Sequence, residues 1–241
     1  MTRSDVVVHS GGDLLAAAAA ARLITELVDA QADHGVASLG LTGGRTGNAV
    51  LEHVRASPAL QAVDWSRVDF YWGDERFLPA GHADRNETQN RAALLDHVSV
   101  DPARVHVMEP SDGRFGDDPD AAAADYASVI GAVVLDVLLL GVGEEGHTAS
   151  LFPDSPAVHE VSRSVVAVRD CPKPPPTRVS LTLPAIRRAR QVWLMTTGEA
   201  KADPVARALA GAPEVDIPAA GARGTERTLW LLDSTAAAKL S

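Results

Sequence analysis

The 241-residue chain sets 22 Lys and Arg against 32 Asp and Glu, a formal net charge of −10 at pH 7, with 46% hydrophobic residues. Nucleic acid and anionic lipid select basic patches, so this balance argues against both as partners. A small anion can still bind, through locally placed Lys and Arg.

Cys171 is the only cysteine; an intrachain disulfide and a cysteine-based metal cluster are excluded, and a reducing compartment is expected. The first residues, MTRSDVVVHS, carry no signal-peptide pattern. The longest apolar stretch, LLAAAAAARLI, is well short of the ~20 residues that span a bilayer. A cytoplasmic protein without membrane attachment is expected.

Along the chain, apolar β-rich runs alternate with helical patterns. VVV (6–8) reads as a strand, and Asp13 as the cap of an Ala-rich helix running to about Asp33. ASLGL (37–41) is a strand, followed by a Gly turn and a helix from about Thr46 to Ala56. VDFYW (68–72) is a strand followed by a long polar loop, NETQNRAALLDHV (86–98) a helix and VHVM (105–108) a short strand. Asp118-Pro119 opens a helix through Ile130, with Pro suited to the first turn. VLDVLLL (134–140) is a continuous apolar strand of the kind buried on both faces of a parallel sheet. Further strands are expected at 164–168, 178–183, 191–196 and 228–233, and helices near 199–210 and after Ser234. The alternation predicts a single domain over 1–241, a three-layer α/β/α fold on a mostly parallel, Rossmann-like sheet.

Ligands of open α/β sheets bind beyond the carboxyl ends of the strands. Three loops fall there: TGGRTGN (42–48), GDERFLPAGHADRN (73–86) and GVGEEGHTAS (141–150). In the first, Thr42, Gly43 and Gly44 precede a helix start, where backbone N–H groups can face an anion; a plain tight turn is the alternative. In the second, Asp74, Glu75 and Arg76 follow the strand directly, as a functional cluster or a surface ion pair. The third spells G-x-G-x-x-G through Gly141, Gly143 and Gly146, a spacing that can hold a pyrophosphate, with Asp170 as a possible ribose acid. Glu144 and Glu145 inside it would repel phosphate, and Pro153 cuts short the helix that should follow. The competing reading makes His147 a general base, since imidazole titrates near neutral pH. Arg178, behind a stiff Pro string, and Lys201, at a helix start, are candidate cations.

Together, LGLTGGRTG, FYWGDERFLP with ADRNETQNRAALL, LDVLLLGVGEEGHTASLFP and KPPPTRVSLTLPAI resemble the glucosamine-6-phosphate deaminase/6-phosphogluconolactonase family over most of the chain. The resemblance implies that Thr42, Gly43, Gly44, Arg178 and Lys201 hold a sugar phosphate, and that His147 as base and Arg76 carry the chemistry. Asp74 and Glu75 are taken as substrate contacts. The chain departs from the pattern at Thr42, where Ser is commoner, at Arg45, where a small residue is usual, at Glu145, where Asp is usual, and at Arg85, where Ser is frequent. The deaminase branch implies an F-N-E-P-like segment; here the chain reads SLFP (150–153), which favours the lactonase branch. The implied reaction is hydrolysis of 6-phospho-D-glucono-1,5-lactone to 6-phosphogluconate in the oxidative pentose phosphate pathway. It needs no metal and no organic cofactor, and its partner is a small-molecule sugar-phosphate lactone; a monomer is favoured. The other readings are an NAD(P)-binding protein and a sugar-phosphate-binding regulator, which would need a DNA-reading module that no basic helix supplies.

Overall fold

A computed structural model describes residues 3–240. Six parallel strands form the main sheet: β1 (Arg3–His9), β2 (Ala37–Leu41), β3 (Val68–Trp72), β5 (Val137–Gly141), β8 (Gln191–Thr196) and β9 (Arg227–Asp233), ordered β1-β9-β8-β5-β2-β3. The other three, β4 (Asp74–Arg76), β6 (Val165–Val168) and β7 (Arg178–Leu181), form a small antiparallel sheet ordered β4-β7-β6. The helices are α1 (Gly12–His34), α2 (Gly44–Ala56), α3 (Asn86–Ala93), α4 (Pro119–Ile130), α5 (Leu183–Ile186), α6 (Ala202–Leu209) and α7 (Pro218–Gly221).

The central strands carry the core. Val137 to Leu140 and Val192 to Met195 are buried without a break, as helices on both sheet faces require. Helix α1 buries Leu15, Ala16, Ala19, Ala20, Leu23, Ile24 and Leu27, a stripe at helical spacing whose alanines let it lie close. Asp118 caps α4 by accepting from Asp120 N and Ala121 N. The α4 residue Tyr126 accepts from Trp72 N at 2.8 Å, pinning the helix to the end of β3.

Several expected elements differ. Asp13 lies inside the first turn of α1, with Gly11 at the cap, and its carboxylate meets His53 instead. Helix α2 begins two residues early, at Gly44, directly on the turn. Helix α3 ends at Ala93, and a 3-10 turn follows over Leu95–His97. VHVM is not a strand: Val105 makes one bridge to Phe70, and His106 turns onto Asp69 and the Tyr71 ring. Strand β5 starts at Val137, because the Asp136 carboxylate accepts from Ser38 N. Residues 234–239 form turns, held by Asp233 accepting from Ala236 N. The segments at 164–168 and 178–183 are strands, but of the second sheet, which the alternation pattern does not separate from the first. Residues 74–76, read as loop, pair with β7 in that sheet.

Candidate active site

Strand order places the site. The connection after β2 runs to β3 on one side, and that after β5 runs to β8 on the other, so a crevice opens between the carboxyl ends of β2 and β5. Two adjoining cavities, of about 160 and 420 Å3, occupy it and share Thr42, Gly43, Gly44, Gly141, Val142 and Lys201. Together they reach the size of small-molecule sites, ~300–1,000 Å3.

The β2 turn supplies one wall. Helix α2 has Gly43 at its N-cap and no side-chain cap, which leaves its first N–H groups free for an anion. A Cβ on Gly43 would overlap the Asn86 carboxamide, so this turn admits no side chain. Asn90, fully buried, holds the wall in place. Its Oδ1 accepts from Trp72 Nε1 at 2.9 Å and its Nδ2 donates to Thr42 O at 3.2 Å. Its loss would strand two buried backbone or indole groups, each at a cost of ~1–3 kcal/mol. Arg45 is exposed and lines the larger cavity.

Strand β4 and the start of α3 form the second wall. Asp74 and Arg76 line the smaller cavity with Asn86. Asn86 Oδ1 accepts from Arg76 Nη1, and its Nδ2 donates to Asp74 O at 2.8 Å. Asp74 Oδ2 accepts from Ser150 Oγ at 2.6 Å. Arg76 Nε is buried and unpaired among the described residues. Glu75 faces away and does not line the cleft. Its carboxylate accepts from Arg76 N, Asn86 N and Glu87 N at 2.7–2.8 Å, capping α3 from outside the helix. Burial pushes its carboxyl up to about 7, against the pull of Arg85 and these N–H groups. The expected substrate contact of Glu75 is therefore replaced by a structural one. Arg85 is likewise internal, with Nη2 donating to Met108 O at 2.7 Å.

The β5 loop carries the imidazole. Gly143 N donates to His147 O at 2.8 Å, and Thr148 Oγ1 donates to Gly141 O at 2.9 Å, closing the loop on itself. A Cβ on Gly143 would overlap the His147 ring. The second glycine of G-x-G-x-x-G thus makes room for an imidazole, not a pyrophosphate. No helix opens after Gly146, so the dinucleotide alternative lacks the helix N-terminus it needs. His147 Nδ1 sits 3.2 Å from Glu145 Oε2, at ion-pair distance but off the line of a direct hydrogen bond. Its ring lies 4.5 Å from that of Phe152. Glu145 is held well below the usual carboxylate range, by His147 foremost and Lys173 after it.

The cations close the cleft. Arg178 is nearly buried, and three of its N–H groups donate to the Lys173, Pro174 and Pro175 carbonyls at 3.0–3.3 Å. Among the described residues the hydrogen bond of its Nη1 is to Ser150 Oγ, at 3.5 Å, so the proline string fixes the guanidinium and leaves one edge for a ligand. Lys201 Nζ donates to Val142 O at 3.1 Å. Burial and the neighbouring Lys173 push its ammonium down, against the pull of Glu144 and Glu145. Among the described residues, no cluster of three or more His, Cys, Asp and Glu is arranged to hold a metal ion.

Of the nine expected residues, all but Glu75 line the smaller cavity. Sequence reasoning missed Asn86, Ser150, Phe152 and Lys173. Ser150 and Phe152 had a local signal, standing three and five residues after His147, and so did Lys173, five residues before Arg178.

The family model described as glucosamine-6-phosphate isomerases/6-phosphogluconolactonase matches residues 11–230. The chain belongs to this family. Within the glucosamine-6-phosphate isomerase/6-phosphogluconolactonase family it is 58% identical to a 6-phosphogluconolactonase of Streptomyces coelicolor, over 98% of this chain and 94% of that one. It is 50% identical to a 6-phosphogluconolactonase of Mycobacterium tuberculosis, over 98% of both chains. The solved 6-phosphogluconolactonase of Trypanosoma brucei superposes with a TM-score of 0.81 at 26% identity, covering 100% of each chain. No described helix is long and apolar enough to cross a membrane.

Proposed function

We propose that the chain hydrolyses 6-phospho-D-glucono-1,5-lactone to 6-phospho-D-gluconate, the lactone-opening step of the oxidative pentose phosphate pathway, in the cytoplasm and as one domain over 1–241. The observation that carries the mechanism is His147, seated on Gly143 and backed by Glu145, in a cleft whose other walls hold Arg178, Lys201 and the uncapped start of α2.

We assign the resting imidazole proton to Nδ1, the nitrogen on the Glu145 side, so that Nε2 keeps its lone pair and takes a proton from water as that water attacks the lactone carbonyl. The carbonyl oxygen gains negative charge, for which the Arg76 guanidinium, lining the same cavity as His147, is a donor. His147 then returns its proton to the ring oxygen as the carbon–oxygen bond breaks. At the far end Arg178, Lys201 and the amides from Gly44 onward hold the phosphate, and Thr42, Gly43 and Asp74 shape the sugar's bed. In the deaminase branch the chain would place a carboxylate in 150–153. Here Ser150 is engaged with Asp74, and Phe152 lies against His147.

The test generates the lactone with glucose-6-phosphate dehydrogenase and follows its disappearance above the spontaneous rate. His147→Ala is expected to lower kcat by ~10²–10⁴-fold with little change in KM. A wild-type protein that leaves the spontaneous rate unchanged overturns the reading; a folded His147→Ala variant with near-normal turnover removes His147 from it.

A further inference from the structure

The mechanism leaves Lys173 unused, yet it touches both ends of the site. Its Nζ lies 3.0 Å from Glu145 Oε2. That same oxygen stands 3.2 Å from His147 Nδ1. The main-chain carbonyl of Lys173 accepts from Arg178 Nη2 at 3.0 Å. Prolines at 172 and 174–176 surround it and fix the local backbone, so the ammonium is not on a free loop.

One carboxylate oxygen is therefore divided between an ammonium and an imidazole. A carboxylate alone beside His147 would favour the imidazolium and protonate the base before substrate arrives. An ammonium on the same oxygen opposes this. The other charges around His147 are few. Arg178 lies across the Phe152 ring, with its guanidinium carbon 5.8 Å from the centroid. Arg76, Asp74 and Lys201 line the same cavity, and Glu144 lines the adjoining one. Among the described residues Glu145 is the group at ion-pair distance from His147, and Lys173 is the cation on it.

We propose that Lys173 is a positioning residue that sets the basicity of His147, drawing on the shared Glu145 oxygen so that the imidazole stays neutral and able to accept a proton. The proposal rests on His147 being the base of the lactonase reading. It is a role distinct from anchoring Arg178, which the backbone carbonyl of Lys173 performs whatever side chain stands there.

The experiment follows the His147 imidazole by NMR across pH, which needs no turnover. It uses wild type, Lys173→Met, Lys173→Arg, Glu145→Gln and the double variant Glu145→Gln/Lys173→Met. The same preparations are assayed for lactone hydrolysis over the same range. Lys173 is 40% exposed, so the expected rise in the His147 midpoint for Lys173→Met is modest, about half a pH unit. The acid limb of kcat/KM moves up with it, and Lys173→Arg restores both. In the Glu145→Gln background the Lys173→Met shift falls to less than half. Lys173→Gln stands in if the Met variant does not fold. An unmoved His147 midpoint, or an equal shift without Glu145, overturns the proposal. A wild type that does not speed lactone hydrolysis sinks the lactonase reading instead, and leaves the titration to judge Lys173 separately.

Discussion

Gly143→Ala is the smallest change that should disable the site. The added Cβ would overlap Nδ1 and Cε1 of His147 and stand 2.8 Å from Cγ, where carbon atoms ordinarily rest ~3.5–4.0 Å apart. The ring must retreat by about 1 Å or more to restore that spacing. It cannot retreat with its backbone, because Gly143 N holds His147 O at 2.8 Å. Phe152 limits motion on one side, with ring centroids 4.5 Å apart. The imidazole must therefore rotate away from Glu145 and from the lactone. A misplacement of ~1 Å can cost ~10²-fold, and complete loss of a general base ~10²–10⁴-fold. The expected result is a fall in kcat of about 10²-fold, with KM within a few-fold because the cations are untouched. Overpacking costs ~1–3 kcal/mol, and each kcal/mol lowers Tm by ~2–4 °C in a chain of this size, so the variant should fold and melt several degrees lower. The assay is lactone disappearance, beside His147→Ala and the double variant, which should be no slower than His147→Ala alone. A Gly143→Ala protein with near-normal kcat, or a double variant far slower than His147→Ala, would refute this account of how the base is placed.

Three further outcomes are expected. Wild type should prefer 6-phosphogluconolactone to plain gluconolactone by roughly 10²–10⁴ in kcat/KM, from two charged hydrogen bonds at ~1.5–3 kcal/mol each, and Arg178→Ala should lose much of that preference; equal kcat/KM for the two lactones in wild type would refute the phosphate anchor. Glu145 has a depressed folded pKa, so its stabilising contribution is full above its unfolded value near 4.5 and declines as pH falls from there toward the folded one; the Tm gap between wild type and Glu145→Gln should narrow below pH 4.5, and a gap that widens on acidification would contradict the ion pair. Activity should survive exhaustive chelation, and loss with EDTA that Zn²⁺ or Mg²⁺ restores would show a metal in the reaction.

Much of this protein is legible in local patterns. Val68–Trp72 and Gln191–Thr196 are strands to the residue, and Asp118-Pro119 opens α4 as its cap chemistry requires. Apolar runs, turn residues and caps act within a few positions, so they show along the chain. The loops after β2, β3 and β5 were likewise predictable as a shared rim, since strand carboxyl ends gather ligands wherever the strands are neighbours. What only the tertiary structure decided is which side chains meet across long separations. Asp74 reaches Ser150, Asn86 reaches Arg76, and Glu145 reaches Lys173. The antiparallel pairing of Asp74–Arg76 with Arg178–Ser180 turns Glu75 away to cap α3, while Asp74 and Arg76 stay at the cleft. Side chains alternate across a strand, so the middle residue of a charged triplet must face opposite its neighbours once those three residues pair. Sequence shows the triplet; only the partner strand shows that it pairs.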